Sequence, residues 1–216
     1  MKTAKKNQVT PERLMQFGFA YAPPLIIAAA VSNKVFDSLE SGSKTVDQIS
    51  KETGASERGL RTLMNALVGL ELLNKDRHQR YSLTPESAAF LVSNRPGTLA
   101  GFFSLNVMQL VSKWLELGDV VRTGRPAQAV NQEAEGTEFF SSLVENIIPM
   151  SYATAQTLAD HLQIAKAKNE VRVLDLASGS GIWGIVLAQA SPRVRATAVD
   201  WAGIIPTTNA SRKSFV

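Results

Sequence analysis

The chain has 216 residues, 44% of them hydrophobic, with 23 Lys and Arg against 19 Asp and Glu for a formal net charge of +4. That length permits one or two domains, and the apolar content is that of an ordinary globular protein. Lack of cysteine excludes disulfides and thiolate metal sites, and the two histidines, far apart in sequence, build no metal cluster. The mild positive charge argues only weakly for nucleic acid, because Lys2, Lys5 and Lys6 near the N-terminus supply part of it.

Basic residues open the chain with no apolar run behind them, so no secretory signal is read. The longest apolar run, residues 23–31, is far shorter than the roughly 20 residues of a membrane span, which makes a soluble cytoplasmic protein the expectation. Residues 11–22 are predicted helical, with Leu14, Phe17 and Tyr21 toward one side. Pro23 and Pro24 restart a helix expected to run through Leu39 and apolar on more than one face. Such a surface fits a subunit interface and a buried core helix equally well.

Thr45 and Gln48 have the spacing of a capping box ahead of a helix over residues 46–53, which Gly54 ends. Ser56 caps a second helix reaching about Leu70. Leu72–Leu73, a polar turn and Tyr81-Ser82-Leu83 form a hairpin, and Thr84-Pro85 starts another helix. Helix, turn, helix and hairpin make a winged helix. Arg58, Arg61, Thr62 and Asn65 are predicted on the outer face of its second helix, and Arg77 and Arg80 on the wing, residue types that contact bases and phosphates. Glu57, Asp47 and Glu52 nearby oppose that reading, and a solvated or subunit-facing helix explains the same pattern.

Phe102, Phe103, Leu105, Met108, Leu110, Val111, Trp114 and Leu115 recur at helical spacing, and core packing is the expectation for most of them. Residues 122–136 are expected as a loop, with Thr137 capping a helix that Pro149 breaks before another at Ser151. His78 falls in the wing turn and faces water, His161 on that last helix caps it or faces water, and no G-x-S-x-G nucleophile elbow exists.

The densest signal lies in residues 171–201. Val171, Val173, Leu174 and Leu176 predict a strand buried on both faces. Asp175 precedes a small-residue turn, Ala177-Ser178-Gly179-Ser180-Gly181, followed by a helix that Pro192 stops and a second strand ending at Asp200-Trp201. A glycine turn at a helix N-terminus admits a ligand close to the backbone, where unpaired N–H groups point outward. An acid about 20 residues later stands where a ribose diol would be held. Gly179, Gly181 and Gly184 satisfy G-x-G-x-x-G, so this motif alone fits a methyl donor, a dinucleotide or a purely structural βαβ unit.

The D-L-A-S-G-S-G run resembles motif I of the class I S-adenosylmethionine-dependent methyltransferases, with Asp175 as its acid and Ala177 in place of the first glycine. With YSLTPESAAFL and SERGLRTLMNALVGLELL upstream, nearly the whole chain resembles the small-molecule O-methyltransferases that dimerise through an N-terminal winged helix. The resemblance implies a mainly α winged-helix dimerisation domain (residues 1–97), a helical connector (98–165) and the start of an α/β Rossmann-like methyltransferase domain (166–216). It implies S-adenosyl-L-methionine as cofactor, held by Asp175 and the turn Ala177, Ser178, Gly179, Ser180 and Gly181, with Asp200 on the ribose and Trp201 beside the adenine. Met150 and Thr154 match a short M-S-x-x-[ST] motif near the cofactor. It further implies a hydroxyl-bearing small-molecule substrate and a homodimer, with neither DNA nor membrane as partner.

The resemblance also implies about seven strands, whereas this chain ends soon after the second, so a truncated methyltransferase is expected. The segment that carries the family's general-base histidine would lie beyond Val216, leaving no catalytic residue to assign here. Residues 209–216 lack apolar periodicity and are not expected to form the next helix.

Overall fold

The computed structural model describes residues 9–95 and 97–215; Lys2, Lys5 and Lys6 lie outside that range. The first helices are α1 (Glu12–Phe19), α2 (Ala22–Ser32) and α3 (Val35–Leu39). The helix expected through Leu39 is thus divided. Asn33 caps α2 by donating to the Ala29 carbonyl, and Lys34 turns the chain with φ +55°. That turn drives Val35, Phe36 and Leu39 into the core, which an unbroken helix would have aimed along α2.

α1 buries none of its residues, and Leu14 and Phe17 are 72% and 63% exposed. It continues almost directly into α2. The joined segment Glu12–Ser32, 21 residues long with an 18-residue stretch of mean hydropathy 1.6, is long and apolar enough by length and composition alone to cross a membrane. The apolar stretch is therefore longer than the run 23–31 suggested, because α1 adds its own apolar side chains to it.

The winged helix forms as the residues predict. Thr45 accepts from the Gln48 N–H and the Gln48 side chain accepts from the Thr45 N–H, closing the capping box of α4 (Val46–Thr53), and Gly54 ends it at φ +75°. Ser56 caps α5 (Glu57–Gly69), whose Leu60, Met64 and Leu67, spaced along one face, are fully buried. Strands β1 (Leu73–Lys75) and β2 (Tyr81–Leu83) pair antiparallel, with Leu73 opposite Leu83. Lys44 extends the sheet by exchanging two backbone hydrogen bonds with Tyr81. The core gathers Phe36, Leu39, Ile49, Leu60, Met64, Leu67 and Tyr81. Helix α6 (Pro85–Phe90) follows, capped by Thr84.

The connector departs from expectation. A π-helix, Phe102–Val107, precedes α7 (Met108–Trp114) and α8 (Leu117–Thr123). It packs against α2 and also contacts α9 (Glu133–Asn146), and Asn106 within it is fully buried with neither amide atom hydrogen-bonded. Leu105, Met108, Trp114 and Leu115 are 56%, 51%, 67% and 83% exposed, so core packing fails for them. The expected loop shrinks to residues 124–132, because α9 begins at Glu133, and Thr137 sits inside that helix rather than capping it. Helix α10 (Ile148–His161) follows with Pro149 in its first turn, where the missing N–H has no intrahelical acceptor to lose.

The last unit is a parallel pair, β3 (Val171–Leu176) and β4 (Val194–Val199), in register from Val171↔Val194 to Leu176↔Val199, joined by α11 (Ile182–Ala190). α10 and α11 cover one face, where Ala159, Leu187 and Val194 cluster, as do Ala155, Ile182 and Val186. The other face is open: Leu174 and Leu176 are 62% and 65% exposed, so the expected two-sided burial of β3 does not occur. Contrary to expectation, a helix, α12 (Ile205–Phe215), does form. Its buried contacts are Ile204 just ahead of it and the polar residues Thr208 and Ser211, which is why apolar periodicity did not reveal it.

Candidate functional site

The site is the crossing between β3, the turn after it, and the end of β4. Ala177, Gly179 and Gly181 all have positive φ, at +52°, +55° and +73°. The position at which the resemblance expects glycine therefore carries alanine in a left-handed conformation, which costs about 1 kcal/mol. The Ser178 N–H continues the ladder to the Val199 carbonyl, and the Gly181 N–H closes the turn on the Ser178 carbonyl at 2.7 Å. Ser178 and Ser180 are buried, and the Ser178 hydroxyl has no hydrogen-bond partner.

β4 delivers Asp200 directly onto this turn. Its Oδ2 accepts from the Gly179 N–H and its Oδ1 from the Trp201 N–H, both at 2.7 Å. A carboxylate offers about four lone-pair sites, so two remain for a ligand's donors. From α12, the Thr208 hydroxyl donates to the Gly179 carbonyl at 2.6 Å. The Thr208 methyl lies 2.7 Å from where a Cβ on Gly181 would stand, so only glycine fits there. A cleft of about 740 Å³ beside the turn, lined by Asp175, Gly181, Ile185, Thr208 and Arg212 among others, separates α11 from α12.

Asp175 is half-buried behind the turn, where its Oδ2 accepts from the Gly184 N–H at 3.1 Å. Burial raises its carboxyl above the ordinary value of 3.8, the Gly184 N–H opposes the rise, and the charge of Asp200 adds to it. The folded state therefore holds this proton more tightly than the unfolded chain. Stability from this group is present at low pH and is lost as pH rises from 3.8 through the raised value. Asp175→Asn keeps an acceptor for Gly184 and removes the charge. In thermal unfolding the variant is expected to match or exceed the wild type at neutral pH and to lose that advantage below the ordinary carboxylate range. A variant less stable at neutral pH than at pH 3, relative to wild type, contradicts this.

Of the remaining candidates, Met150 is 47% exposed on the first turn of α10, and Thr154 directs its hydroxyl to the Met150 carbonyl rather than to the glycine turn. Three residues of α9 that sequence reasoning missed do reach the site. Glu133 accepts from the Ala202 N–H at 3.2 Å, Gly136 lies against the Trp201 ring, and Thr137 against Gly203. Further along α9, Val144 covers Gly179. The helical spacing of Glu133, Gly136, Thr137, Phe140 and Val144 was the available signal, hidden by the assignment of residues 122–136 to a loop.

Several polar residues of the winged helix bond within it. Asn65 Oδ1 accepts from the Tyr81 hydroxyl at 2.8 Å and from Lys75 Nζ at 3.0 Å, and Arg61 pairs with Glu57 at 3.7 Å. Arg80 donates to the Ser43 carbonyl and hydroxyl, and Arg77 to the His78 ring. Among the described residues, no group of three or more His, Asp or Glu side chains is placed to hold a metal ion.

Residues 15–93 match the family model of the O-methyltransferase dimerisation domain. Among curated proteins, the chain is 27% identical over 179 residues to 3-hydroxy-5-methyl-1-naphthoate 3-O-methyltransferase of Streptomyces sahachiroi, covering 81% of this chain and 50% of that protein. It is 24% identical over 212 residues to the tetracenomycin polyketide synthesis 8-O-methyl transferase of Streptomyces glaucescens, covering 95% and 61%. The chain thus spans about half to three-fifths of the length of these relatives. Among solved structures, a candidate O-methyltransferase from Nostoc punctiforme superposes with TM-score 0.81 at 24% identity, covering 97% of this chain and 62% of that one. Human N-acetylserotonin methyltransferase in complex with SAM superposes at 0.74 and 20%, covering 99% and 65%. Residues 15–93 thus resemble the O-methyltransferase dimerisation domain, and over nearly its entire length the chain is similar, at 24–27% identity, to proteins named as O-methyltransferases.

Proposed function

We propose that this chain forms the dimerisation and cofactor-binding part of an S-adenosylmethionine-dependent O-methyltransferase acting on a small-molecule hydroxyl. One observation carries the reading: Asp200, at the end of β4, is bonded directly to the glycine turn that ends β3. That places an acid with free lone pairs beside a backbone cradle. The fit to the cofactor is further supported by the left-handed Gly179 and Gly181, by the exclusion of a Cβ at Gly181, and by the unpaired buried hydroxyl of Ser178.

In this proposal the turn from Ala177 to Gly181 takes the amino-acid end of the cofactor, with Asp175 holding the turn from behind through Gly184. Asp200 takes the ribose hydroxyls and Trp201 the adenine side. Met150 and Thr154, on the first turns of α10, are included on their motif alone, since the Thr154 hydroxyl bonds to the Met150 carbonyl. The bound cofactor would supply an electrophilic methyl group. The chain's own residues position it and keep its nucleoside end fixed, since alignment of the reacting atoms carries much of such a transfer. Neither His78, in the wing turn, nor His161, in the last turn of α10, lies among the residues around the turn, so no base is assigned.

The winged helix is read as a homodimerisation unit of a cytoplasmic enzyme. Its exposed α1 offers apolar surface for a second copy, while Asn65, Arg61 and Arg80 are already engaged within the fold, which disfavours a DNA reading. The relatives named above act on naphthoate and polyketide hydroxyls by their names, which favours an aromatic acceptor.

Calorimetric titration with S-adenosylhomocysteine tests the proposal. Saturable binding is expected for the wild type, weakened about 100-fold in Asp200→Ala, as the loss of charge-assisted hydrogen bonds to a ribose implies. No binding by the folded wild type, or equal binding by both proteins, would refute it.

A further inference from the structure

We propose that the first turns of α9 form part of the nucleoside side of the cofactor site, with Gly136 as the positioning residue that seats Trp201. The inference rests on the cofactor reading above. Glu133, Gly136, Thr137 and Phe140 are spaced i, i+3, i+4 and i+7, so they share one face of α9. That face meets the three residues after Asp200. Glu133 accepts from the Ala202 N–H, Thr137 packs on Gly203, and the Phe140 ring lies 6.3 Å from the Trp201 ring.

Gly136 lies directly against the Trp201 ring. It is buried within a regular helix, so its glycine is not there for a special backbone angle. A Cβ at this position would overlap the Trp201 ring and stand 2.8 Å from the Val130 carbonyl. The missing side chain is therefore the notch that the indole occupies. Trp201 is held at both ends, its backbone N–H by Asp200 and its ring by Gly136. A nucleoside whose ribose rests on Asp200 meets Trp201 next, so the depth of the notch sets where the ring stands relative to that ligand. Gly136 acts on the ligand through Trp201 and touches none of the reacting atoms.

The test is a double-variant cycle read by S-adenosylhomocysteine affinity in the full chain: wild type, Gly136→Ala, Trp201→Leu and the pair together. Gly136→Ala is expected to weaken binding about tenfold, as a small misplacement of a positioning group does. In the Trp201→Leu background, where the overlap with the ring is gone and only the 2.8 Å approach to the Val130 carbonyl remains, the same change is expected to cost less than about twofold. With Trp114 and Trp183 replaced by Phe, the emission of Trp201 is expected to shift on Gly136→Ala, a signature that a purely structural role would not require.

Wild-type affinity in Gly136→Ala overturns the proposal, and so does an equal loss in both backgrounds. If Gly136→Ala does not fold, Glu133→Ala, which frees the Ala202 N–H from an exposed position, is expected to weaken binding several-fold, and unchanged affinity there overturns it equally. Failure of the wild type itself to bind is a different result, because it removes the cofactor reading on which the notch depends.

Discussion

Tyr81→Ala is expected to destabilise the winged-helix unit by about 3–5 kcal/mol, the range for removing a large aromatic side chain from a packed core. Tyr81 is fully buried, and four separate attachments converge on it. Its backbone exchanges two hydrogen bonds with Lys44, its ring sits in the cluster with Met64 and Leu67, and Lys75 Nζ lies 4.9 Å from the ring centroid. Its hydroxyl donates to Asn65 on α5 at 2.8 Å, tying the hairpin to the second helix. Tyr81→Phe keeps the ring and loses only that bond. Asn65 retains Lys75 as a donor, so a cost of about 1 kcal/mol is expected. Urea unfolding monitored by circular dichroism measures both, with the midpoint moving and the slope unchanged. A loss below about 1 kcal/mol for Tyr81→Ala would show that the hairpin is held to α5 by something other than this ring.

Gly181→Val is expected to remove cofactor binding and to cost about 2–5 kcal/mol. The left-handed φ of +73° is strained for any L side chain by about 1–2 kcal/mol, and overlap with the Thr208 methyl adds about 1–3 kcal/mol of overpacking. Because Thr208 also holds the Gly179 carbonyl, displacing it distorts the turn as well as crowding it. Thermal unfolding and S-adenosylhomocysteine titration of the same preparation separate the two effects. A folded Gly181→Val protein that binds like the wild type would show that the turn is not the ligand cradle.

Local chemistry explains which parts of the fold were legible. The capping box at Thr45, the Ser56 cap, the left-handed Gly54 and the Pro85 start each fix a helix end through bonds made within four residues, so they could be read without a partner in view. The βαβ order and the position of Asp200 at the end of the second strand were likewise visible from strand, turn and helix lengths, whereas its bond to the Gly179 N–H was not.

Where the reading failed, contacts from distant segments decided the outcome. The break at Lys34 serves the burial of Phe36 and Leu39. α12 lacks an apolar stripe and is anchored by Thr208 on the Gly179 carbonyl, 29 residues away in sequence. α9 begins earlier than expected because Glu133 and Gly136 are fastened to the loop after β4, 69 residues further on in the case of Glu133 and Ala202. Leu174 and Leu176 form the strand their composition predicts, yet one face stays exposed, since burial depends on what packs above a strand and not on the strand itself.

By itself, then, the sequence determined the winged helix, the glycine turn and the acid opposite it, all of which follow from short-range caps, turn residues and strand periodicity. Tertiary structure alone decided that α9 is a wall of the site and that Gly136 is the notch for Trp201. A glycine's missing side chain carries no meaning until the residue that fills its space has been brought there by the fold.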